Sequence, residues 1–205
     1  MRIGVDLDNT IVCYDGLFQR VAVREKLVPP DCPTDKQAVR DYLRAAGHED
    51  DWTRLQGRIY GDAMNEAVPF AGVTEFLRAA HGRRWEVFIV SHRTRQPYLG
   101  PPTDLHQAAI DWLLRNCFTG DTRGDVAIAQ VFLEASLDAK LRRIAELRLD
   151  VFIDDLPELL LHAAFPAGVR RICFDPAQRC DDKRLERIGS WPELSQRWFA
   201  GERPT

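Results

Sequence analysis

The chain has 205 residues, of which 45% are hydrophobic, and this length allows one complete core and a small second module. Its formal net charge of −3 provides no basic field for anionic lipid or nucleic acid, so no nucleic-acid polymer is expected as a partner. The five cysteines include no CxxC pair, which favours reduced thiols over disulfides or a zinc site. No apolar run approaches the roughly 20 residues of a membrane span, and we expect a cytoplasmic protein without a membrane partner.

Short apolar runs recur along the chain, and each is followed by polar residues and then by helix-like sequence. This rhythm predicts an α/β fold with a buried parallel sheet flanked by helices. Thr103 and Ser136 are the predicted N-caps of two of these helices. The predicted strands are residues 3–5, 87–90, 131–133, 151–153 and 171–174.

The interval between the first two predicted strands is longer than a simple crossover. It contains helix-like segments at residues 16–27, 35–46 (capped by Thr34) and 51–67. An insert at this place would lie over the carboxyl edge of the sheet, where open α/β proteins bind ligands, so we interpret it as a cap. The predicted domains are a catalytic core, residues 1–12 and 69–205, and a small all-helical cap, residues 13–68.

Two pairs of acidic residues follow predicted strands. Asp6 and Asp8 come after the first strand, in the sequence VDLDNT that also contains Thr10, and Asp154-Asp155 comes after the fourth. Carboxylates placed so close together repel each other unless they are protonated or bind a metal ion. Both motifs also allow a purely structural interpretation, as a turn after Asp6 and with Asp155 as a helix cap.

A serine and a lysine take comparable positions in the other two strand–helix units. Ser91 ends the second strand, where a hydroxyl can hydrogen-bond a phosphate oxygen together with backbone N–H groups. Lys140 lies in the first turn of the helix after the third strand, where a cation opposes the helix dipole. Because this helix begins at the sheet edge that carries Asp6, Lys140 could stabilise carboxylate and phosphate charge there. Taken alone, Ser91 is equally compatible with a loop serine and Lys140 with a surface lysine.

In this order, Asp6-x-Asp8-x-Thr10, Ser91, Lys140 and Asp154-Asp155 resemble the four motifs of the haloacid dehalogenase (HAD) superfamily. The resemblance implies a Rossmann-like core with a C1-type helical cap. It also implies that Asp6 is a nucleophile that forms an aspartyl phosphate, that Asp8 is the general acid and base, and that Thr10 supports their loop. The implied cofactor is Mg²⁺, bound by Asp6, the backbone carbonyl of Asp8 and an acid of the Asp154-Asp155 pair.

The residue at position 8 distinguishes subclasses of this superfamily. The dehalogenases lack an aspartate there, and the ATP-driven pumps need transmembrane helices, so the resemblance implies a phosphatase. A phosphotransferase or mutase uses the same residues and stays an alternative. A small cap favours a small phosphorylated substrate, such as a sugar phosphate or a nucleotide. His92 and Arg93, directly after Ser91, are candidate phosphate-binding residues, although a solvated loop is equally compatible with them.

Two other classes agree less well with the sequence. Receiver domains, which are non-catalytic switches, combine an acid pair, a phosphorylated aspartate and a lysine, but their acid pair comes first along the chain, whereas here Asp154-Asp155 comes last. A dinucleotide-binding Rossmann protein would carry GxGxxG after the first strand, where this chain has DLDNT. Within the insert, Arg58, Tyr60 and Asn65 are further candidates for contact with a substrate.

Overall fold

The computed structural model describes residues 1–118 and 128–199. The chain divides into two compact units, each built from more than one segment. Unit 1 contains Met1–Val12, Pro69–His92 and Cys117–Thr205, and unit 2 contains Cys13–Val68 and Arg93–Asn116. None of the helices in the described ranges is both long enough and apolar enough to cross a lipid bilayer.

A parallel sheet forms the centre of unit 1. Its six strands, numbered in chain order, are β1 (Arg2–Val5), β4 (Glu86–His92), β5 (Ile128–Glu134), β6 (Val151–Asp154), β7 (Arg170–Phe174) and β8 (Glu186–Ile188). They lie in the order β5-β4-β1-β6-β7-β8. The chain leaves unit 1 in β2 (Val12–Cys13) and returns in β3 (Val68–Pro69). The first strand therefore lies inside the sheet, with a hydrogen-bonded neighbour on each side.

Helices cover this sheet because each presents one apolar face to it. The helices of unit 1 are α4 (Val73–Gly82), α6 (Leu137–Glu146), α7 (Pro157–Leu160) and α8 (Trp191–Phe199). α6 packs against β4 and β5 and buries Leu141 and Ile144. Its N-cap is Ser136, whose hydroxyl accepts a hydrogen bond from the backbone N–H of Ala139 at 3.2 Å, as the sequence predicted.

Unit 2 is helical. It contains α1 (Leu17–Arg24), α2 (Lys36–Ala45), α3 (Glu49–Tyr60), a 3-10 helix (Asp62–Glu66) and α5 (Leu105–Arg115). α5 packs against α3 and the 3-10 helix, and the indole N–H of Trp112 donates to the carbonyl of Ala67 at 2.9 Å. This packing explains why Arg93–Asn116 groups with the insert, whereas the sequence prediction placed residues 93–116 in the core.

The predicted fold class is confirmed, and all five predicted strands are present. Two predicted caps are wrong. Asp35 caps α2, accepting from the N–H groups of Gln37 and Ala38, and Asp104 caps α5 in the same way. In both cases the threonine lies one residue too early for its hydroxyl to take the cap position. The predicted helix over residues 51–67 begins earlier and ends at Tyr60, where the 3-10 helix follows.

Candidate active site

The register of the sheet places Asp6 next to Asp154. Val5, the last residue of β1, pairs with Ile153 of β6, so the residues that follow them lie side by side at the carboxyl edge of the sheet. The backbone N–H of Asp6 donates to the carbonyl of Ile153 at 2.9 Å, which continues the ladder by one bond. Both carboxylates are buried, and Asp154 has no exposed surface. Two acids from distant parts of the sequence thus meet in the interior of unit 1.

Lys140 joins these two carboxylates. Its Nζ lies 2.6 Å from Oδ1 of Asp6 and 2.6 Å from Oδ2 of Asp154, and the side chain is only 2% exposed. The ammonium reaches the acids from α6 and lies 5.5 Å from the centre of the Phe152 ring. An ammonium without an exposed surface is stable only when acceptors replace its lost hydration. Lys140 is therefore a buried component of the acidic cluster.

The charges in this cluster perturb one another. Burial by itself would lower the pKa of Lys140, but the carboxylates of Asp154 and Asp6 raise it above its ordinary value, so the amine stays protonated. The pKa of Asp6 is raised to about 7, because burial has the largest effect and the charges on Asp154 and Asp8 act in the same direction, against the opposing effect of Lys140. The positive charge of Lys140 therefore does not fully offset the burial of Asp6 and the negative charges around it.

Asp8 and Ser91 lie together next to this cluster. Ser91, buried near the end of β4, places its Oγ 3.5 Å from Oδ2 of Asp8, at the limit of a hydrogen bond. The side chain of Asp8 is half-buried. Ser91 and Asp8 were predicted independently from two strand ends, and the structure brings their polar atoms into contact.

The segment between Asp6 and Val12 is a tight turn. The carbonyl of Leu7 accepts from the backbone N–H groups of both Ile11 and Val12, at 3.0 and 2.9 Å, and Asn9 has a left-handed φ of 56°. Asparagine tolerates this conformation better than most residues. Thr10 is fully buried, and its Oγ1 has no hydrogen-bond partner among the described residues. The turn folds the chain back directly after the two aspartates.

The backbone of this turn is also contacted by a residue that the sequence analysis missed. The indole N–H of Trp191, at the start of α8, donates to the carbonyl of Thr10 at 2.9 Å. The two residues are 181 positions apart, and no local motif marks a tryptophan for such a contact. Only the folded structure shows that α8 reaches the loop of Asp6 and Asp8.

Asp154 and Asp155 differ in their surroundings. Oδ1 of Asp154 accepts from the backbone N–H of Leu156 at 2.8 Å, while Oδ2 contacts Lys140. Asp155 is half-buried. The interpretation of Asp155 as a helix cap is wrong, because the N-cap of α7 is Leu156 and no side chain accepts a capping bond there. Of the two acids, Asp154 is the one joined to Asp6 through Lys140.

The two residues after Ser91 lie in different environments. His92, the last residue of β4, is exposed. Arg93 belongs to unit 2 and is 4% exposed. Its guanidinium donates to the carbonyls of Tyr60 and Leu105, at 3.0 and 3.2 Å, and to the hydroxyl of Tyr14 at 3.2 Å. The role of His92 and Arg93 in phosphate binding stays a prediction, and the contacts of Arg93 describe a side chain that ties the segments of unit 2 together.

The candidate residues of the insert are also engaged within unit 2. Arg58 forms an ion pair with Glu25 at 3.1 Å, and the hydroxyl of Tyr60 accepts from Nζ of Lys36 at 2.9 Å. Asn65 lines a cavity of about 290 Å³ between the 3-10 helix and α5. No predicted catalytic residue lines this cavity. Contact of these side chains with a substrate stays a prediction.

The acidic cluster around Asp6 and Asp154 is a candidate metal site. Nowhere in residues 1–118 and 128–199 do three His, Cys, Asp or Glu side chains form a group that could hold a metal by themselves. Mg²⁺ does not need such a group, since it keeps several waters and is usually bound through one or two carboxylates. The oxygens of Asp6 and Asp154 are hard donors of the type that it prefers, and the cluster has more negative than positive charge. The residues present therefore fit Mg²⁺.

The architecture is shared with solved hydrolases. The structure of the HAD-hydrolase YfnB from Bacillus subtilis was determined with bound magnesium. It aligns over 95% of this chain and 96% of its own length, with 12% identity and a TM-score of 0.57. CbbY from Rhodobacter sphaeroides, in complex with phosphate, aligns over 94% and 95%, with 17% identity and a TM-score of 0.54. The chain has the HAD fold.

The HAD fold confirms the architecture that the sequence resemblance implied. A structure described as a dehalogenase is similar to the same degree, with 12% identity, a TM-score of 0.56 and 95% coverage of both chains. No protein-family model and no curated protein matches the sequence. At these identities the HAD fold is shared by proteins of different chemistry, so the reaction has to be argued from the side chains.

Proposed function

We propose that this chain is a Mg²⁺-dependent phosphatase of the HAD superfamily, which hydrolyses a phosphomonoester through an aspartyl phosphate on Asp6. The observation that carries the proposal is the contact of Lys140 with both Asp6 and Asp154 at 2.6 Å. A buried acid held by a fixed cation at the carboxyl edge of a parallel sheet is preorganised for charge that develops in a reaction. Asp8 and Ser91 provide the remaining polar groups.

Asp6 is the proposed nucleophile. One of its carboxylate oxygens attacks phosphorus, and the alcohol leaves from the opposite side, which divides the hydrolysis into two steps. Lys140 stays protonated, holds Oδ1 of Asp6 and keeps the carboxylate oriented. It also offsets part of the negative charge that gathers when an anionic phosphoryl group approaches a carboxylate. Asp154 fixes Lys140 from the other side.

Asp8 is the proposed general acid and base. Its proton passes to the leaving alkoxide in the first step, and its carboxylate takes a proton from the attacking water in the second. The hydroxyl of Ser91, 3.5 Å from Oδ2 of Asp8, is the proposed donor to an equatorial phosphate oxygen beside this proton transfer. Water then hydrolyses the aspartyl phosphate and restores Asp6.

Asp6 and Asp154 are the proposed side-chain ligands of Mg²⁺, together with the backbone carbonyl of Asp8. When bound, Mg²⁺ supplies positive charge that stabilises the transferred phosphoryl oxygens. The full burial of Asp154 and its link to Asp6 through Lys140 favour it over Asp155 as the direct ligand. Asp155 stays a candidate for a contact through water.

Position 8 favours phosphoryl transfer over carbon–halogen cleavage. A halide leaves without a proton, whereas an alkoxide needs one, and Asp8, two residues after Asp6, is a carboxyl group that can supply it. A phosphotransferase or mutase would use the same residues with a hydroxyl acceptor in place of water. The proposed substrate is a small phosphorylated metabolite, a sugar phosphate or a nucleotide.

The test is phosphate release from an aryl phosphate with Mg²⁺, followed by a screen of nucleotides and sugar phosphates. Asp6→Asn should lower turnover by at least about 10³-fold, because the amide is not a nucleophile. Asp181→Asn changes an exposed aspartate and is the matched control, which should keep wild-type activity. Circular dichroism should show both variants folded. Full activity of Asp6→Asn would refute the mechanism, and a phosphorylated alcohol in place of free phosphate would identify a phosphotransferase.

A further inference from the structure

The C-terminal helix contacts the loop that carries the proposed nucleophile and general acid. We call residues 6–10 the nucleophile loop. Trp191, the first residue of α8, is fully buried, and its indole N–H donates to the carbonyl of Thr10, the last residue of this loop, at 2.9 Å. A buried carbonyl that loses its donor incurs a desolvation cost, so this bond constrains where the loop can lie.

Trp191 is itself held in place by its neighbours. Its ring packs against those of Phe76 and Phe174, with centroids 4.9 and 5.7 Å away. The start of α8 is fixed by two bonds of Glu193, whose carboxylate accepts from the N–H of Gly189 at 2.7 Å and whose own N–H donates to the hydroxyl of Ser190 at 3.3 Å. The indole is therefore a rigid donor.

The carbonyl of Thr10 in the nucleophile loop is not used by the hydrogen bonds that close the turn, so its donor has to come from outside the loop. The turn closes through the carbonyl of Leu7, which leaves the carbonyl of Thr10 outside that pair of bonds. The hydroxyl of Thr10 has no partner among the described residues. A displacement of this turn would move Asp8 relative to Asp6, and a misplacement of about 1 Å can cost about 10²-fold in rate.

We propose that Trp191 is a positioning residue of the active site, which fixes the nucleophile loop through the carbonyl of Thr10. This inference rests on the proposed phosphatase function. The indole contacts the backbone of the loop and takes no part in bond making, so its loss should lower kcat and leave KM unchanged. If Trp191 only stabilised the fold, its replacement would reduce the fraction of folded enzyme under denaturing conditions. The kcat of each folded molecule would then stay unchanged.

Trp198 provides a matched control. It lies two turns further along α8, its ring also contacts Phe76, at 5.6 Å, and its buried Nε1 has no hydrogen-bond partner in the part of the chain that the structure describes. Trp191→Phe and Trp198→Phe therefore remove the same ring atoms from one helix, but only the first removes a donor from the loop. We expect Trp191→Phe to lower kcat about tenfold with KM within about twofold, and Trp198→Phe to resemble the wild type. Equal kcat for the two variants would overturn the proposal.

Two further measurements separate this inference from the proposed function. A 3-benzothienylalanine at position 191 keeps the ring shape and lacks the N–H, so it replaces Trp191→Phe if that variant does not fold. Backbone amide exchange over residues 7–12 should be faster in the Trp191 variant than in Trp198→Phe. If the wild type hydrolyses no phosphate ester, the proposed function fails, and the exchange rates alone decide the role of Trp191. Equal exchange in both variants would then refute it.

Discussion

Replacement of Lys140 by methionine tests the buried ion cluster directly. Methionine has a similar length and no charge, so Lys140→Met leaves the carboxylates of Asp6 and Asp154 buried without their shared cation. At 2.6 Å, and with an effective dielectric constant of about 20, each contact corresponds to about 6 kcal/mol of Coulomb attraction. Most of this attraction offsets the desolvation of the three groups, and the net cost of removing one partner of a buried pair is about 3–5 kcal/mol.

We therefore expect Lys140→Met to lower the free energy of unfolding by about 3–5 kcal/mol without metal, with the lower end reached if one carboxyl takes up a proton. The measurement is urea unfolding followed by tryptophan fluorescence in the presence of a chelator. Lys183→Met is the matched control, because Lys183 is exposed, and it should stay within about 0.5 kcal/mol of the wild type. Such a loss would be a large part of the stability of a typical domain.

A double-mutant cycle shows whether the loss arises from the contact with Asp6. Asp6→Asn removes one of the two charges facing Lys140, so the double variant Asp6→Asn/Lys140→Met should lose less stability than the sum of the single changes. The expected coupling is at least about 1 kcal/mol. A loss below about 1 kcal/mol for Lys140→Met, or additive effects in the cycle, would refute the ion cluster and with it the proposed role of Lys140.

Three further predictions concern the acid, the metal and the sheet. Asp8→Asn should lower turnover of alkyl phosphates at least about tenfold more than that of aryl phosphates, because poor leaving groups need the proton most; equal losses in steady-state assays would contradict this. Chelation should abolish phosphate release without a change in circular dichroism, and added Mg²⁺ should restore it; undiminished activity in chelator would exclude the metal. Gly4→Ala should destabilise by about 1–3 kcal/mol in thermal unfolding, since its Cβ would lie 2.4 Å from Leu149 and 2.5 Å from Phe152. Gly82→Ala, where nothing lies within 4 Å, should be neutral or slightly stabilising, and similar losses at both sites would refute this packing argument.

The sheet was predictable because each of its five main strands is a short apolar run that ends in polar residues. β8 was not, since its sequence Glu-Arg-Ile contains one apolar residue and becomes a strand only by pairing with β7. The caps show a similar limit. Thr34-Asp35 and Thr103-Asp104 each offer two adjacent cap residues, and the local geometry of the chain selects the aspartate in both.

The sequence predicts those residues of the candidate site whose positions are determined by the ends of parallel strands. Asp6, Ser91 and Asp154 lie at or next to the carboxyl ends of neighbouring strands of one parallel sheet, so their proximity follows from topology alone. The contacts of Lys140 need the position of α6 on the sheet, and those of Trp191 need the position of α8, which no spacing in the sequence specifies. Sequence adjacency is also a weak guide, because Arg93 follows Ser91 closely and yet belongs to unit 2.

Asp8 is the residue that favours the proposed phosphoryl chemistry over dehalogenation, because the fold is shared with a protein described as a dehalogenase. Both chemistries need a carboxylate nucleophile and a cation beside it, and Asp6 and Lys140 are the residues proposed for these two roles. Only the cleavage of a phosphate ester needs a second carboxyl group to protonate a leaving alkoxide. Asp8 lies on the same tight turn as Asp6, and its Oδ2 lies 3.5 Å from the hydroxyl of Ser91 in β4, so the turn keeps this carboxyl group beside Asp6. A carboxyl group held in this way has a role in alkoxide departure and none in halide departure, and this difference favours the phosphatase.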